Sequence, residues 1–173
     1  MANPTMTLIG NPYVVGSGGV SSVTFGAGET LPQNFTDLRI VITAAVTSGG
    51  GNWAGGNLTI NSSTSSQSFS RAIMYGSSTT LSDHASGGWG VANGSTTASN
   101  IFGLSEFYFP SYTAGTGKTA VASYTTENNS SSILQGFTGL AWAVNSPITS
   151  IKIDFTYTIA QYSTFYIYGI KNS

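Results

Sequence analysis

Ile151-Lys152-Ile153-Asp154-Phe155-Thr156-Tyr157-Thr158-Ile159 alternates apolar and polar residues without a break. A period of two puts Ile151, Ile153, Phe155, Tyr157 and Ile159 on one face of a strand and Lys152, Asp154, Thr156 and Thr158 on the other. One face is therefore wet and the other meets a core, as in an antiparallel sheet. Working outward from this stretch, strand-type runs recur at residues 21–25, 38–46, 56–61, 68–75, 102–109, 118–126, 134–142, 148–159 and 164–170, punctuated by Gly, Ser and Asn clusters. Residues 38–42 are apolar on both faces apart from Arg39, which predicts a central strand. No segment sustains a 3.6-residue period. The predicted fold is all-β, an antiparallel β-sandwich of the jelly-roll kind.

Composition narrows the function classes. Of 173 residues only five are Lys or Arg and six Asp or Glu, 6% charged against about 25% in an ordinary soluble domain. Gly, Ser, Thr and Asn make up nearly half the chain, yet 40% is hydrophobic and 12% aromatic, so a core is available. A net charge of −1 with scattered basic residues leaves no footprint for nucleic acid. No apolar run is long enough for a spanning helix, so no membrane partner is expected, and the first ten residues lack the charged and apolar blocks of a secretory signal. Without cysteine there is no disulfide framework or thiolate metal site. The length suits one domain, residues 21–173. Residues 1–20, with Pro4, Pro12 and the Gly16–Gly19 cluster, read as an N-terminal arm or outer strand. Leu8, Ile9, Tyr13 and Val14 give that arm apolar surface suited to a neighbouring subunit.

Short matches to catalytic patterns carry little. Ser82-Asp83-His84 holds triad residue types, but three consecutive side chains point in different directions, and a triad needs them to converge. Gly115-Thr116-Gly117-Lys118-Thr119 resembles the end of a P-loop, yet Tyr112 stands where the first glycine belongs. Ala120-Val121-Ala122-Ser123-Tyr124, which follows, reads as a strand rather than a helix. The carboxylates Glu29, Asp37, Asp83, Glu106, Glu127 and Asp154 are too dispersed for a calcium loop, and nothing marks a pair as acid and base. Glu106, among Leu104, Phe107, Tyr108 and Phe109, is expected to pair with Arg39 or Arg71. Trp53 in GGGNWAGG and Trp89 in GGWG read as loop residues with three roles open: a plug over the sandwich end, an anchor at a protein interface, or a platform for a sugar. Trp142 reads as core. Neither catalytic residues nor a cofactor nor a metal are expected. The spans 48–57 and 77–100 read as flexible tracts.

Five segments together carry a resemblance: Ser21-Ser22-Val23-Thr24-Phe25, Phe35-Thr36-Asp37-Leu38-Arg39-Ile40, Glu106-Phe107-Tyr108-Phe109-Pro110-Ser111-Tyr112, Pro147-Ile148-Thr149-Ser150-Ile151 and Thr164-Phe165-Tyr166-Ile167-Tyr168-Gly169-Ile170. In that order, over most of residues 20–170, they resemble a β-sandwich module of virion proteins of tailed bacteriophages, especially those of cyanobacteria and marine bacteria. The resemblance implies a capsid decoration (cement) protein on the virion surface, bound to the major capsid protein and assembled as a homotrimer, with no enzymatic residues. The alternative is a tail or fibre module binding a receptor or surface glycan through Trp53 and Trp89. The short stretch ahead of the sandwich favours decoration. Independently, a chain with so few charges lacks like-charge protection against association, and surfaces committed to fixed neighbours remove that hazard.

Overall fold

The computed structural model describes residues 5–48, 53–63, 67–76, 78–82, 91–94, 101–127 and 133–171. Among these there is no helix, and thirteen strands follow in chain order. They are β1 (Met6–Leu8), β2 (Tyr13–Val14), β3 (Val20–Phe25), β4 (Asp37–Ala44), β5 (Trp53–Ile60), β6 (Gln67–Tyr75), β7 (Ser78–Ser82), β8 (Val91–Asn93), β9 (Gly103–Phe109), β10 (Lys118–Glu127), β11 (Ile133–Trp142), β12 (Ile151–Ile159) and β13 (Thr164–Ile170). One sheet of nine strands runs β1-β13-β4-β9-β10-β11-β6-β7 with β2 also on β13; a second of four runs β3-β12-β5-β8.

The pairings explain the winding. β6 pairs β7, β5 pairs β8, β4 pairs β9 and β3 pairs β12, all antiparallel. These four pairs are one long ribbon, doubled at β6–β7 and rolled so that alternate pairs fall in opposite sheets, which is a jelly roll. Two additions enlarge one sheet. The β10–β11 hairpin is inserted between β9 and β6, and β13 returns beside β4. β4 lies between β13 and β9, central as its apolar sequence predicts.

Inward-facing residues of both sheets form one core. Leu38, Ile40 and Ile42 of β4, Phe107 and Phe109 of β9, and Phe165 and Ile167 of β13 belong to the same buried cluster as Leu58 and Ile60 of β5 and Ile151 and Ile153 of β12. Each such side chain contributes about 2 kcal/mol of burial free energy. Trp142 is buried as expected, stacked on Phe109 with centroids 5.8 Å apart. One sandwich end is closed by buried Leu31, Tyr112 and Ile148. The Tyr112 hydroxyl donates to the Pro32 carbonyl, and the Ile148 amide donates to the Tyr112 carbonyl at 2.9 Å. Asn61, at φ 50° just after β5, accepts from the Thr149 and Ser150 amides at 2.8 and 3.2 Å and fixes the approach to β12.

Four expectations are corrected. In the alternating stretch of β12, Tyr157 is exposed, not buried with its parity mates. Residues 154–159 of β12 face only residues 22–20 of β3, so a bulge breaks the period there. The tract 48–57 is a strand from Trp53 onward. Within it Gly56 lies opposite Phe155 and Gly55 opposite Val91 in the ladder. The tract 77–100 is not uniformly loop: its hydroxyl-rich residues 78–82 and its residues 91–93 supply β7 and β8. The strand expected at 148–159 begins only at Ile151. The N-terminal segment, read as arm or outer strand, runs along β13 of the same chain as β1 and β2.

A candidate assembly surface

The pleat sends alternate residues of the nine-stranded sheet away from the core, and the register aligns them into rows. One row crosses seven strands as Leu8, Tyr168, Arg39, Tyr108, Val121, Gly139 and Ser70. The next runs Tyr166, Val41, Glu106, Ser123, Phe137 and Ala72. A third holds Leu104 and Met74 among Thr43, Thr125, Gln135 and Val14. Phe137 is 65% exposed and Val121 60%. Gly139, lacking a side chain beside Val121, leaves a shallow depression floored by Ser70 and Leu140. A second depression lies between Arg39, Glu106, Tyr108 and Phe137.

These rows span about 30 Å across seven strands and about 20 Å along them, from the usual strand spacing and rise. The resulting flat area, about 600 Å², approaches the ~800 Å² per partner of a stable protein interface. Charge in the three rows is confined to Arg39 and Glu106, whose Nη2 and Oε2 lie 2.7 Å apart at side-chain exposures of 40% and 32%. The pair expected for Glu106 is thus made with Arg39. Neutralised against each other, the two leave these three rows with no net charge; Glu127, of the same parity at the end of β10, lies beyond them. Tyr108 is anchored from the side: its hydroxyl donates to Asp37 Oδ2 at 2.6 Å, and the Ser111 amide donates to Oδ1 at 2.8 Å. The hydrogen bond to the Asp37 carboxylate, with burial and its negative charge adding, raises the Tyr108 pKa above the usual phenol value.

The other outer face differs in kind. On the four-stranded sheet the rows are Thr24, Lys152, Thr59 and Ser22, Asp154, Asn57. Asn57 Nδ2 donates to Asp154 Oδ1 at 3.2 Å, and Lys152 Nζ lies 3.1 Å from Asp154 Oδ2.

The residues singled out in sequence are dispersed. Leu8 and Val14 join the apolar face of the large sheet. Ile9 packs against the core, and Tyr13 turns its ring edge-on to Phe165 at 6.4 Å. Trp53 opens β5 at 42% exposure, on the polar side, and is a strand residue rather than a loop one. Trp89, Asp83 and His84 lie outside the described residues. The P-loop-like segment is a turn into β10. Lys118 is buried, and its ammonium donates to the Ala114 and Thr116 carbonyls of its own turn, so it is held there and not offered to a phosphate. Burial lowers its pKa. Among the described residues no three of His, Asp and Glu cluster to hold a metal.

Phe137, Val121, Tyr108 and Leu104 were not singled out in sequence, although they form the centre of this face. No protein-family model, no curated protein and no solved structure matches the chain.

Proposed function

We propose that this protein is a structural component of a tailed-bacteriophage virion: a decoration protein that seats the outer face of its nine-stranded sheet on the major capsid shell, as a homotrimer. The observation that carries the reading is the exposure of Phe137 and Val121 among rows whose two charges, Arg39 and Glu106, neutralise each other. Folding does not require that face, because the core lies on the other side of the sheet. Large apolar surface rimmed by polar residues marks an interaction site. The phage assignment rests on the five strand segments that resemble virion modules, and the scarcity of charge is consistent with a permanently assembled protein.

Binding to purified shells that lack the protein tests it. The native chain is expected to co-sediment with shells, and Phe137→Asp to lose that binding while remaining folded. Equal binding by the variant overturns the placement of the interface, and no binding by the native chain overturns decoration. The tail-module reading is supported by one feature, the half-exposed Trp53 at the start of β5 on the hydroxyl- and amide-rich face. It predicts glycan binding that Trp53→Ala abolishes.

A further inference from the structure

Residues 5–15 are held to the sandwich by a backbone ladder and by three side chains, Ile9, Tyr13 and Val15, at its inner face. Beyond the β1 and β2 pairings, Lys171 N donates to Thr5 O at 3.1 Å, Ile9 N to Ile167 O, Val15 N to Ser163 O and Tyr162 N to Val15 O, each of these at 2.9 Å. The segment thus makes a ladder along the whole of β13, kinked at Gly10-Asn11-Pro12. Side chains are nonetheless exposed on both faces of the strand: Met6 and Leu8 are 44% and 36% exposed, Tyr13 and Val14 41% and 56%. Only Val15 is buried, with Ile9 partly so. The connection to β3 is a tight turn closed by Gly19 N to Gly16 O at 3.3 Å, with Gly18 at φ +93°. Side chains added at Gly16 or Gly18 would meet nothing within 4 Å, whereas one at Gly19 would meet the Ile159 carbonyl oxygen at 2.5 Å, so the turn is clear of the body at its tip and rests on β12 where it enters β3.

We propose that this strand is exchanged between copies: residues 5–15 of one chain pair with β13 of the next, by opening of the turn at residues 16–19. The inference deepens the assembly reading by naming the segment that joins the copies. Every backbone bond of the ladder is reproduced in the exchanged form, because each copy offers the same β13, and exchange of an identical element is a low-cost route to an oligomer. The exchanged form also places Met6, Leu8, Tyr13 and Val14 at the junction of two bodies, where a second chain covers surface that one chain leaves wet. With residues 5–15 laid on the neighbour's β13, the opened turn of residues 16–19 is what spans the two bodies, at most about 14 Å, so the exchange sets the two copies close together at this edge. A ring in which each copy gives one strand and receives one is closed, as a cyclic homo-oligomer requires.

The chain has no cysteine, so introduced thiols react only with each other. Leu8 and Tyr168 are Cα partners, and Ile9–Ile167 next to them is the hydrogen-bonded pair. Leu8 and Tyr168 are therefore the close, non-hydrogen-bonded kind, within disulfide reach. L8C and Y168C single variants are refolded together at equal amounts, oxidised and run on a non-reducing denaturing gel with peptide mapping. Exchange predicts a mixed dimer joined between the two introduced thiols, and covalent oligomers from the L8C/Y168C double variant. A double variant that cross-links only within single chains, with no mixed dimer from the singles, overturns it. M6C and I170C, a second pair in the same register, carry the test if the first set fails to fold. Shell binding is measured on the same samples. Interchain bonds without shell binding overturn decoration and leave exchange standing; shell binding with intrachain bonds alone does the reverse.

Discussion

The two outer faces of the sandwich differ while their inner faces do not. Inward, β4 and β12 present the same aliphatic side chains to one shared core. Outward, the large sheet shows Phe137, Val121, Tyr108 and Leu104, whereas the small sheet shows Thr24, Lys152, Thr59 and Asp154. Stability constrains the inner faces alone, since an outward side chain gains little from folding. On the proposed reading the apolar outer face of the large sheet meets the shell, while the small sheet's outer face, Trp53 apart, carries hydroxyls, amides and one ion pair.

The comparison breaks first in the core if it is wrong. Ile40→Ala in the large sheet and Ile153→Ala in the small one are both fully buried truncations. Each is expected to cost about 2–5 kcal/mol in denaturant unfolding. A large disparity would mean the sheets do not share one core. On the outer faces the expectation divides. Phe137→Asp with Val121→Lys should weaken shell binding by about 10²–10³-fold, the scale of an interface hot spot. Thr24→Lys with Thr59→Lys should leave it unchanged, and both double variants should hold their stability to within about 1 kcal/mol. Reversal of the binding result would move the interface to the polar face.

Smaller effects sharpen the contrast. Arg39–Glu106 and Lys152–Asp154 are both partly exposed. Double-mutant cycles should give each a coupling below about 1 kcal/mol, so neither face is held by its ion pair. The smallest effect is a pH slope. Tyr108 and Tyr112 have raised native pKa values, the first from its bond to Asp37 and the second from burial. The native state keeps those protons when the unfolded chain loses them near pH 10, so their contribution is complete below pH 10 and fades as pH climbs through the raised values. Buried Lys118 acts with opposite sign, because its native pKa is lowered from 10.5, and stability rises with pH across the window just below that value. Tyr108→Phe and Tyr112→Phe should each flatten the alkaline fall in the melting temperature, and Lys118→Met should remove the rise before it.

Sequence was a good guide wherever one parity was apolar and the other polar. The first half of β12 was readable on that basis, β4 was readable as central from its two apolar faces, and the expected strands lie within a few residues of those found. It failed to assign the faces where both parities were apolar. In β10 the inward residues are Ala120 and Ala122 while the larger Val121 faces out; in β11 Leu134, Leu140 and Trp142 face in while Ile133 and Phe137 face out. Side-chain size does not say which parity is buried there, so the centre of the apolar face had no signal of its own. The tryptophans carry a stronger signal, because their Gly-rich surroundings read as loops. In Trp53's case Gly55 and Gly56, which follow it, are strand residues of β5.

The rolled ribbon also sets a timetable. Its closing pair joins Phe25 to Ile151, a contact between opposite ends of the domain sequence, and such topologies fold in milliseconds to seconds. The β10–β11 hairpin, Glu127 opposite Ile133, closes locally and on the scale of about 1–10 μs. Val121 and Phe137 are therefore brought side by side long before the sandwich closes behind them. For that interval the nascent chain samples an apolar hairpin, only marginally stable by itself and open on both faces, so a synthesising cell faces a race between roll-up and premature association. Slower synthesis, lower temperature or a holding chaperone should raise the soluble yield more than any stabilising core substitution.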